Sequence, residues 1–574
     1  MAFSLSPAVT ISEIDLSTIV PAVPSSIGAI AGAFQWGPVE EIRTIASEVE
    51  LANTFGKPNN DVADTWFSAS NFLSYSGNLR SVRVIGASSF NANTYSGATE
   101  IVIKNEDDYD NNHAAGQEPG ITWHAKYPGE LGNSLKVYIM DQASWTTFGG
   151  ATGPVSGIFQ GKPNTSAYAA EINASANDEV HIAVVDEDGK WTGTAGTVLE
   201  KYEFLSKASD AKTEAGESNY YKNVINARSR YIWFGNHTSD VDGTGAAWGS
   251  VVSGSTGFKG ATGPTTAYAE SLVNGKDDNV LTSANEIAGY DLYKSEDVDV
   301  NLIIAGSAEN ATITDLIDNI AESRKDCIVL FSPLKADVVN NAGQEEADLI
   351  TYITSTINPN SSYAVMDGNW KYQYDKYNDV FRWVPLNGDI AGLCARTDYT
   401  NDPWFSPAGY NRGIIKNVIK LAWNPTKANR DNMYLKGINP VISQPGLGTV
   451  LFGDKTTLAK PSAFDRINVR RLFITLEKAI ATAAKFSLFE LNDAFTRAQF
   501  VGLVEPYLRD VKGRRGIYDF KVVCDETNNT PQVIDSNGFV GDIYIKPARS
   551  INFIQLNFVA VRTGVEFSEI VGQF

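Results

Sequence analysis

Cysteine is nearly missing from this chain of 574 residues: Cys327, Cys394 and Cys524 stand far apart and never form a CxxC. That spacing excludes a disulfide framework or a cysteine zinc site, and it fits synthesis in a reducing interior. Histidine is almost as scarce. His113, His124, His181 and His237 show neither HxxxH nor HExxH spacing, so metal binding and histidine catalysis lack a constellation. No apolar run reaches the ~18–20 residues of a membrane span, and no basic-then-apolar signal peptide opens the chain, so membrane insertion is not expected. Basic charge is also short, with 47 Lys and Arg against 67 Asp and Glu for a net charge of −20. A nonspecific nucleic-acid face needs the opposite balance, so direct nucleic-acid binding is not expected.

The acid excess is uneven. Residues 91–300 hold 14 basic and 29 acidic side chains, whereas 461–574 hold 14 and 13. This suits an acidic, solvated region attached to a more neutral and more buried one. The length exceeds a single core, since cores stop growing near ~250–300 residues.

Both ends of the chain read as strands. In MAFSLSPAVTI, Phe3, Leu5, Val9 and Ile11 alternate with small and polar residues, a half-buried strand whose Pro7 assigns it to a sheet edge. SINFIQLNFVAVRTGVEF at 550–567 is apolar on both faces: Ile551, Phe553, Val559 and Val561 on one, Ile554, Leu556 and Phe558 on the other. Residues 25–90 read as mixed α/β, with helices near 46–55 and 63–75 and LRSVRVIG as a strand. Between 91 and 290 short β runs are interleaved with Asn, Gly, Ser and acids, and HIAVVDEDGKW reads as a hairpin turning at Asp188-Gly189. GATGPVSG and GATGPTTA share loop composition. From 298, VDVNLIIAG, TITDLIDNIAESRK and DCIVLFSP form a βαβ unit with a parallel sheet covered on both faces, and WKYQYDKYNDVFRWVP reads as an aromatic hairpin. A helix with a Leu472, Leu476, Ile480, Ala483 stripe follows. Asn492 is expected to cap the next helix, which ends near Gly513. Strands close the chain, with Tyr518, Phe520, Val522 and Cys524 on one face.

The fold class expected is therefore mixed α/β and multidomain. It comprises an arm at 1–22, a discontinuous α/β domain of 23–90 plus 291–425, a β-rich acidic insert at 91–290, and a domain at 426–574 joined by the arm.

Enzymatic chemistry has few candidates. GLGTVLFGDKTT superficially has the residues of a P-loop, but Asp454 separates Gly453 from Lys455 and would repel phosphate. The loop AGSAEN lacks GxGxxG. Asp367 closes a parallel strand, where catalytic acids often sit, yet a lone carboxylate before Gly is more commonly a turn residue. In KGRRG, Lys512, Arg514 and Arg515 offer either a partner contact or a helix end complementing the dipole. No nucleophile, base and oxyanion site assemble, so no catalytic residue, cofactor or metal is assigned.

The segments NDPWFSPAGYNRGIIK, MYLKGINPVISQPGLGTVLFGDKT, SAFDRINVRRLFITLEKAIATAAKFSLFELND and VGDIYIKPARSINFIQLNFVAVRTGV follow one another in an order that resembles the tail sheath proteins of contractile-tailed, T-even-like bacteriophages. The likeness is dense over about the last 175 residues and extends more loosely to the N-terminal arm and GAFQWGPVEE. It implies a non-enzymatic subunit that polymerises helically around a tail tube and contracts to drive that tube through the host envelope for genome ejection. It implies partners in identical copies, the tube protein, and baseplate and terminator proteins, with assembly in the host cytoplasm and residence in the virion tail. The chain-end domain would lie inside, near the tube, and the acidic insert outside. The family's exchanged arms would fall on Phe3, Leu5, Val9 and Ile11 and on Ile551, Phe553, Ile554, Leu556, Phe558, Val559 and Val561, with Lys512, Arg514 and Arg515 as tube-facing candidates. A tailocin or other contractile injection sheath is the alternative of the same kind; an α/β hydrolase or nucleotide-dependent enzyme is the alternative of another class.

Overall fold

The computed structural model describes residues 23–95, 97, 100–114, 120–150, 153–172, 176–238, 241, 247–252 and 268–556. These divide into a larger unit, 23–403 with 407–479, and a smaller one, Trp404–Ser406 with the residues from Ile480. The division falls at 479/480, whereas 425/426 is expected; past 426, Ile438–Asn439 pairs with Met366 and Asp367 in the larger unit's central sheet.

Chain order explains that sheet. β1 (Gly28–Gly32), β2 (Arg43–Ile45) and β3 (Leu79–Arg83) come first. The chain then leaves for an insert that begins with β4 (Trp123–Ala125) and β5 (Leu135–Met140), continues with β6 (Glu179–Asp186) and β7 (Thr197–Ser206), and ends with β8 (Ile232–Phe234) and β9 (Tyr268–Ser271). It returns as β10 (Leu302–Ile304), β11 (Ile328–Phe331) and β12 (Ala364–Asp367). β13 (Trp370–Asp375), β14 (Val380–Pro385), β15 (Lys420–Leu421) and β16 (Ile438–Asn439) follow. The central order is β16-β12-β11-β10-β1-β3-β2, parallel throughout except for β2. Ile328–Phe331 is apolar at every position and fully buried, as a strand covered on both faces requires. The expected βαβ unit is present. Its helical run from Asn310 to Arg324 includes a π-helical stretch, Leu316–Ala321, whose Leu316, Ile317 and Ile320 enter the core.

Two helices pack closely over this sheet, Ala63–Leu73 and Asn387–Thr400. Glycine allows the approach: a Cβ at Gly388 would lie 2.2 Å from the Ser68 carbonyl oxygen, and one at Gly392 would lie 2.3 Å from the Tyr75 ring.

The insert hangs from two antiparallel passages of chain. Gly86 N donates to Asp278 O at 2.9 Å, and isolated bridges join Phe90 to Lys276 and Asn93 to Val273. Arg83 braces the attachment. Buried among backbone carbonyls, its guanidinium donates to Phe34 O, Gly37 O and Pro128 O at 2.8–3.0 Å, and burial lowers its pKa to about 10. Beyond the stalk lie the antiparallel sheet β7-β6-β5-β9 and the ribbon β4-β8. The hairpin expected at Asp188-Gly189 is β6–β7, but it does not turn there: β6 stops at Asp186 and β7 starts at Thr197. The Asp186 carboxylate holds the longer loop by accepting from Trp191 N, Thr192 N and Thr192 Oγ1 at 2.8–3.0 Å. GATGPTTA and part of GATGPVSG lie outside the described residues.

The P-loop-like stretch supplies the turn and second strand of a hairpin of β17 (Val441–Gln444) and β18 (Gly448–Leu451). Lys455 Nζ is turned onto Tyr434 O at 2.8 Å, and Asp454 is buried.

Candidate assembly surface

The enzyme candidates are dispersed. Asp367 is buried and accepts from Ser332 Oγ at 2.6 Å and Asn369 N at 3.2 Å. Ser332 Oγ in turn accepts from Leu386 N and from Asn387 N and Nδ2 at 3.0–3.1 Å, so Asp367 and Ser332 are held within one buried hydrogen-bond network. His181 Nδ1 accepts from Phe204 N at 2.9 Å and its ring stacks on Phe159; His124 is buried in β4. No group of three potential metal ligands occurs among the described residues, and none of their helices is long and apolar enough to cross a membrane.

The smaller unit differs from this closed chemistry. Its helix Ala494–Gly513 is capped by Asp493, whose carboxylate accepts from Thr496 N at 2.8 Å. The expected cap, Asn492, is one residue early; it donates to Gly538 O at 2.6 Å and accepts from Arg497 Nη1 at 2.9 Å. Arg497, Phe500, Val504, Leu508 and Val511 form the buried stripe, the three- and four-residue spacing of one helix face. Phe500 meets Phe539 edge-on at 5.4 Å.

Beside this helix lies a ribbon of two strands, β19 (Ile517–Val523) and β20 (Asp542–Pro547), paired antiparallel. Phe520 and Val522 face Ile545 and Ile543 across the ladder and are half-buried; Lys521 and Tyr544 on the other face are exposed. The face expected for Tyr518, Phe520, Val522 and Cys524 is broken at its first member. A register shift between Ile517 and Asp519 puts Tyr518 out in solvent, while Cys524 is buried. β19 and β20 form a sheet of two, so each keeps an outer edge unpaired among the described residues. A two-stranded ribbon is at best marginally stable by itself, and open edges invite pairing with another chain.

Past the ribbon, residues 551–556 are neither helix nor strand. Ile551, Phe553, Ile554 and Leu556 are exposed there, Phe553 by 85%. Phe558, Val559 and Val561, and Phe3, Leu5, Val9 and Ile11, lie outside the described residues. A second exposed apolar group, Phe486, Leu488, Phe489, Leu491 and Phe495, runs from just past the helix Ile467–Ala484 into the first turn of the helix Ala494–Gly513. Pattern reading does not single it out; the one signal for it is five large apolar side chains in ten residues without helical spacing.

The basic cluster closes the long helix. Lys512 Nζ pairs with Asp519 at 2.9 Å, holding that carboxyl below its usual range, and Arg514 lies over Trp404, whose Nε1 donates to Arg514 O at 3.1 Å. Arg515 is exposed, with a left-handed backbone at φ +67.

Three family models match the chain: the phage tail sheath protein central domain over residues 279–457, the phage tail sheath C-terminal domain over 459–560, and the tail sheath protein Gp18 domain III N-terminal region over 25–84. The chain is 36% identical to the tail sheath protein of Vibrio phage KVP40, covering 99% of this chain and 100% of that protein. It is 35% identical to the tail sheath protein of Enterobacteria phage T4, covering 99% of each. Among solved structures it is similar to the sheath tail protein Lin1278 from Listeria innocua, with a TM-score of 0.53, 12% identity, and coverage of 92% of this chain and 93% of that one.

Proposed function

Because the chain belongs to the phage tail sheath proteins and is a structural sheath subunit, we propose that its copies polymerise by completing one another's sheets at the β19–β20 ribbon. The carrying observation is the pairing of an unfilled need with a supply: a ribbon with two edges open among the described residues beside an exposed apolar segment at 551–556. Donation of an extended segment to a neighbour's edge is β-augmentation. It makes a head-to-tail contact, and head-to-tail contacts that do not close grow into open helices.

On this reading the polymer is a sleeve around the tail tube, between baseplate and terminator, in the tail of the virion. Donated strands come from the N-terminal arm (Phe3, Leu5, Val9, Ile11) and from Ile551–Val561. The smaller unit faces the tube, with Lys512, Arg514 and Arg515 at that contact, and the acidic insert faces solvent. Contraction is a discrete repacking of near-rigid subunits. A gain of ~1–3 kcal/mol per copy, the size of a typical coupling free energy, sums over many copies without nucleotide.

Chains lacking residues 1–12, or everything after 550, should stay soluble and folded by circular dichroism and sediment as discrete particles. The full chain should form long hollow cylinders in electron micrographs. Normal cylinders from either truncated chain would refute strand donation.

A further inference from the structure

The sheet β14-β13-β15 has two unlike faces. On one, Lys371, Gln373 and Asp375 are buried, and Asn378 and Arg382 reach from the hairpin to Pro58 and Asn60, just before the helix Ala63–Leu73. The other face carries Tyr372 opposite Trp383 and Tyr374 opposite Phe381, a two-by-two aromatic array. Ring centroids are 4.8 Å apart in the first pair and 5.3 Å in the second, and Tyr372 stacks on Phe381 at 5.6 Å along the diagonal. Lys420 of β15 pairs with Tyr372 in the ladder, and its ammonium stands 4.9 Å from the Tyr372 ring and 5.4 Å from the Trp383 ring, within reach of attraction by both. Tyr374 and Phe381 are about half exposed, at 47% and 52%.

Apolar residues exposed singly need no explanation, but a contiguous patch marks an interaction surface. Aromatic side chains are what the dry centre of an interface is enriched in. The flanking charge gives the sign of the partner. Residues 410–424, leading into and through β15, contain Arg412, Lys416 and Lys420 and no acidic residue. The complement is carried by the same sequence: 91–300 holds 29 acidic against 14 basic side chains, and Glu106, Asp107 and Asp110 are exposed there. We infer that the aromatic face of β13–β15 docks on the acidic insert of a neighbouring copy, Tyr374 and Phe381 forming the dry centre and Lys420 fixing the register. This rests on the sheath reading, since a polymer is what brings the insert of one copy to the sheet of another. A carbohydrate is the other chemistry that a flat aromatic platform accepts, and a carboxylate does stand at this edge, Asp379, which accepts from the Tyr374 hydroxyl at 2.7 Å; the Lys420 ammonium over the Tyr372 and Trp383 rings is what favours an anionic protein surface over a neutral sugar.

The test uses full-length chains, half of them grown in ¹⁵N, mixed before assembly. Cylinders are treated with a carbodiimide, which joins lysine amines to carboxylates, and heavy–light peptide pairs are read by mass spectrometry. The expected result is heavy–light links from Lys420 to acidic residues within 91–300. Their yield should fall at least fivefold when Tyr374→Ser and Phe381→Ser are combined, with the melting curve of the free subunit unchanged. Normal cylinders that give heavy–light links elsewhere but none from Lys420 to the insert overturn this inference and leave the sheath reading standing, as does retention of neutral glycans by this face with no such links. Failure of the unaltered chain to form cylinders overturns both.

Discussion

Gly388 packs against Ser68 with no room for a methyl group, since a Cβ there would sit 2.2 Å from the Ser68 carbonyl oxygen. That oxygen belongs to the helix Ala63–Leu73, whose Phe72 is itself pressed against β1 at Gly28, so the contact has little freedom to relax. Gly388→Ala should destabilise the larger unit by ~1–3 kcal/mol, the usual cost of overpacking, visible as a lower urea midpoint. A Cβ added at Gly502 would meet no heavy atom of the described residues within 4 Å, and Gly502→Ala should instead stabilise its helix by roughly 0.5–1 kcal/mol.

Lys371 Nζ stands 2.8 Å from Asp389 Oδ2 with neither side chain exposed. Burial opposes charge on both groups, lowering the lysine pKa and raising that of the carboxyl, and their mutual attraction opposes those shifts. Lys371→Met should cost ~3–5 kcal/mol because it strands a buried carboxylate. The double variant Lys371→Met with Asp389→Leu should recover most of that loss, as measured by equilibrium unfolding.

Asp367 gives a pH signature. Burial pushes its carboxyl up to about 7 from the ordinary value of 3.8, with the Asp389 charge adding to the rise and the Ser332 and Asn369 hydrogen bonds opposing it. A carboxyl whose folded pKa is raised favours folding below its unfolded pKa, and that advantage is lost as pH climbs through the folded value. The stability of the unaltered chain relative to Asp367→Asn should therefore fall between about pH 4 and pH 7 and level off above. Unfolding midpoints of both proteins on the acid side of this window, within it and above it check this, and a difference independent of pH would refute it.

The parallel core was legible because its strands carry their own signal: Ile328–Phe331 is apolar at each position, a pattern only a doubly covered strand tolerates. Caps and turns were legible in kind but not in position. Asn492 and Asp493 are both good capping residues, and the choice between them is made by Gly538 O and Arg497, which draw Asn492 away. Asp188-Gly189 has tight-turn chemistry, yet the Asp186 carboxylate gathers the backbone of Trp191 and Thr192 and spends those residues on a wider loop. The exposed group Phe486–Phe495 was illegible for a different reason. Apolar composition predicts burial, and whether a side chain is buried within its own chain or left open is not encoded in its identity.

The stalk at Gly86–Asn93 and Val273–Asp278 brings the way out and the way back to neighbouring backbone positions. The insert's outer loops can therefore lengthen or shrink while the two anchor points keep their spacing, provided that Pro128 stays to accept from Arg83 and Trp191 stays to pack on Trp36. A peptide or enzyme grafted there would be displayed once per subunit along the whole array.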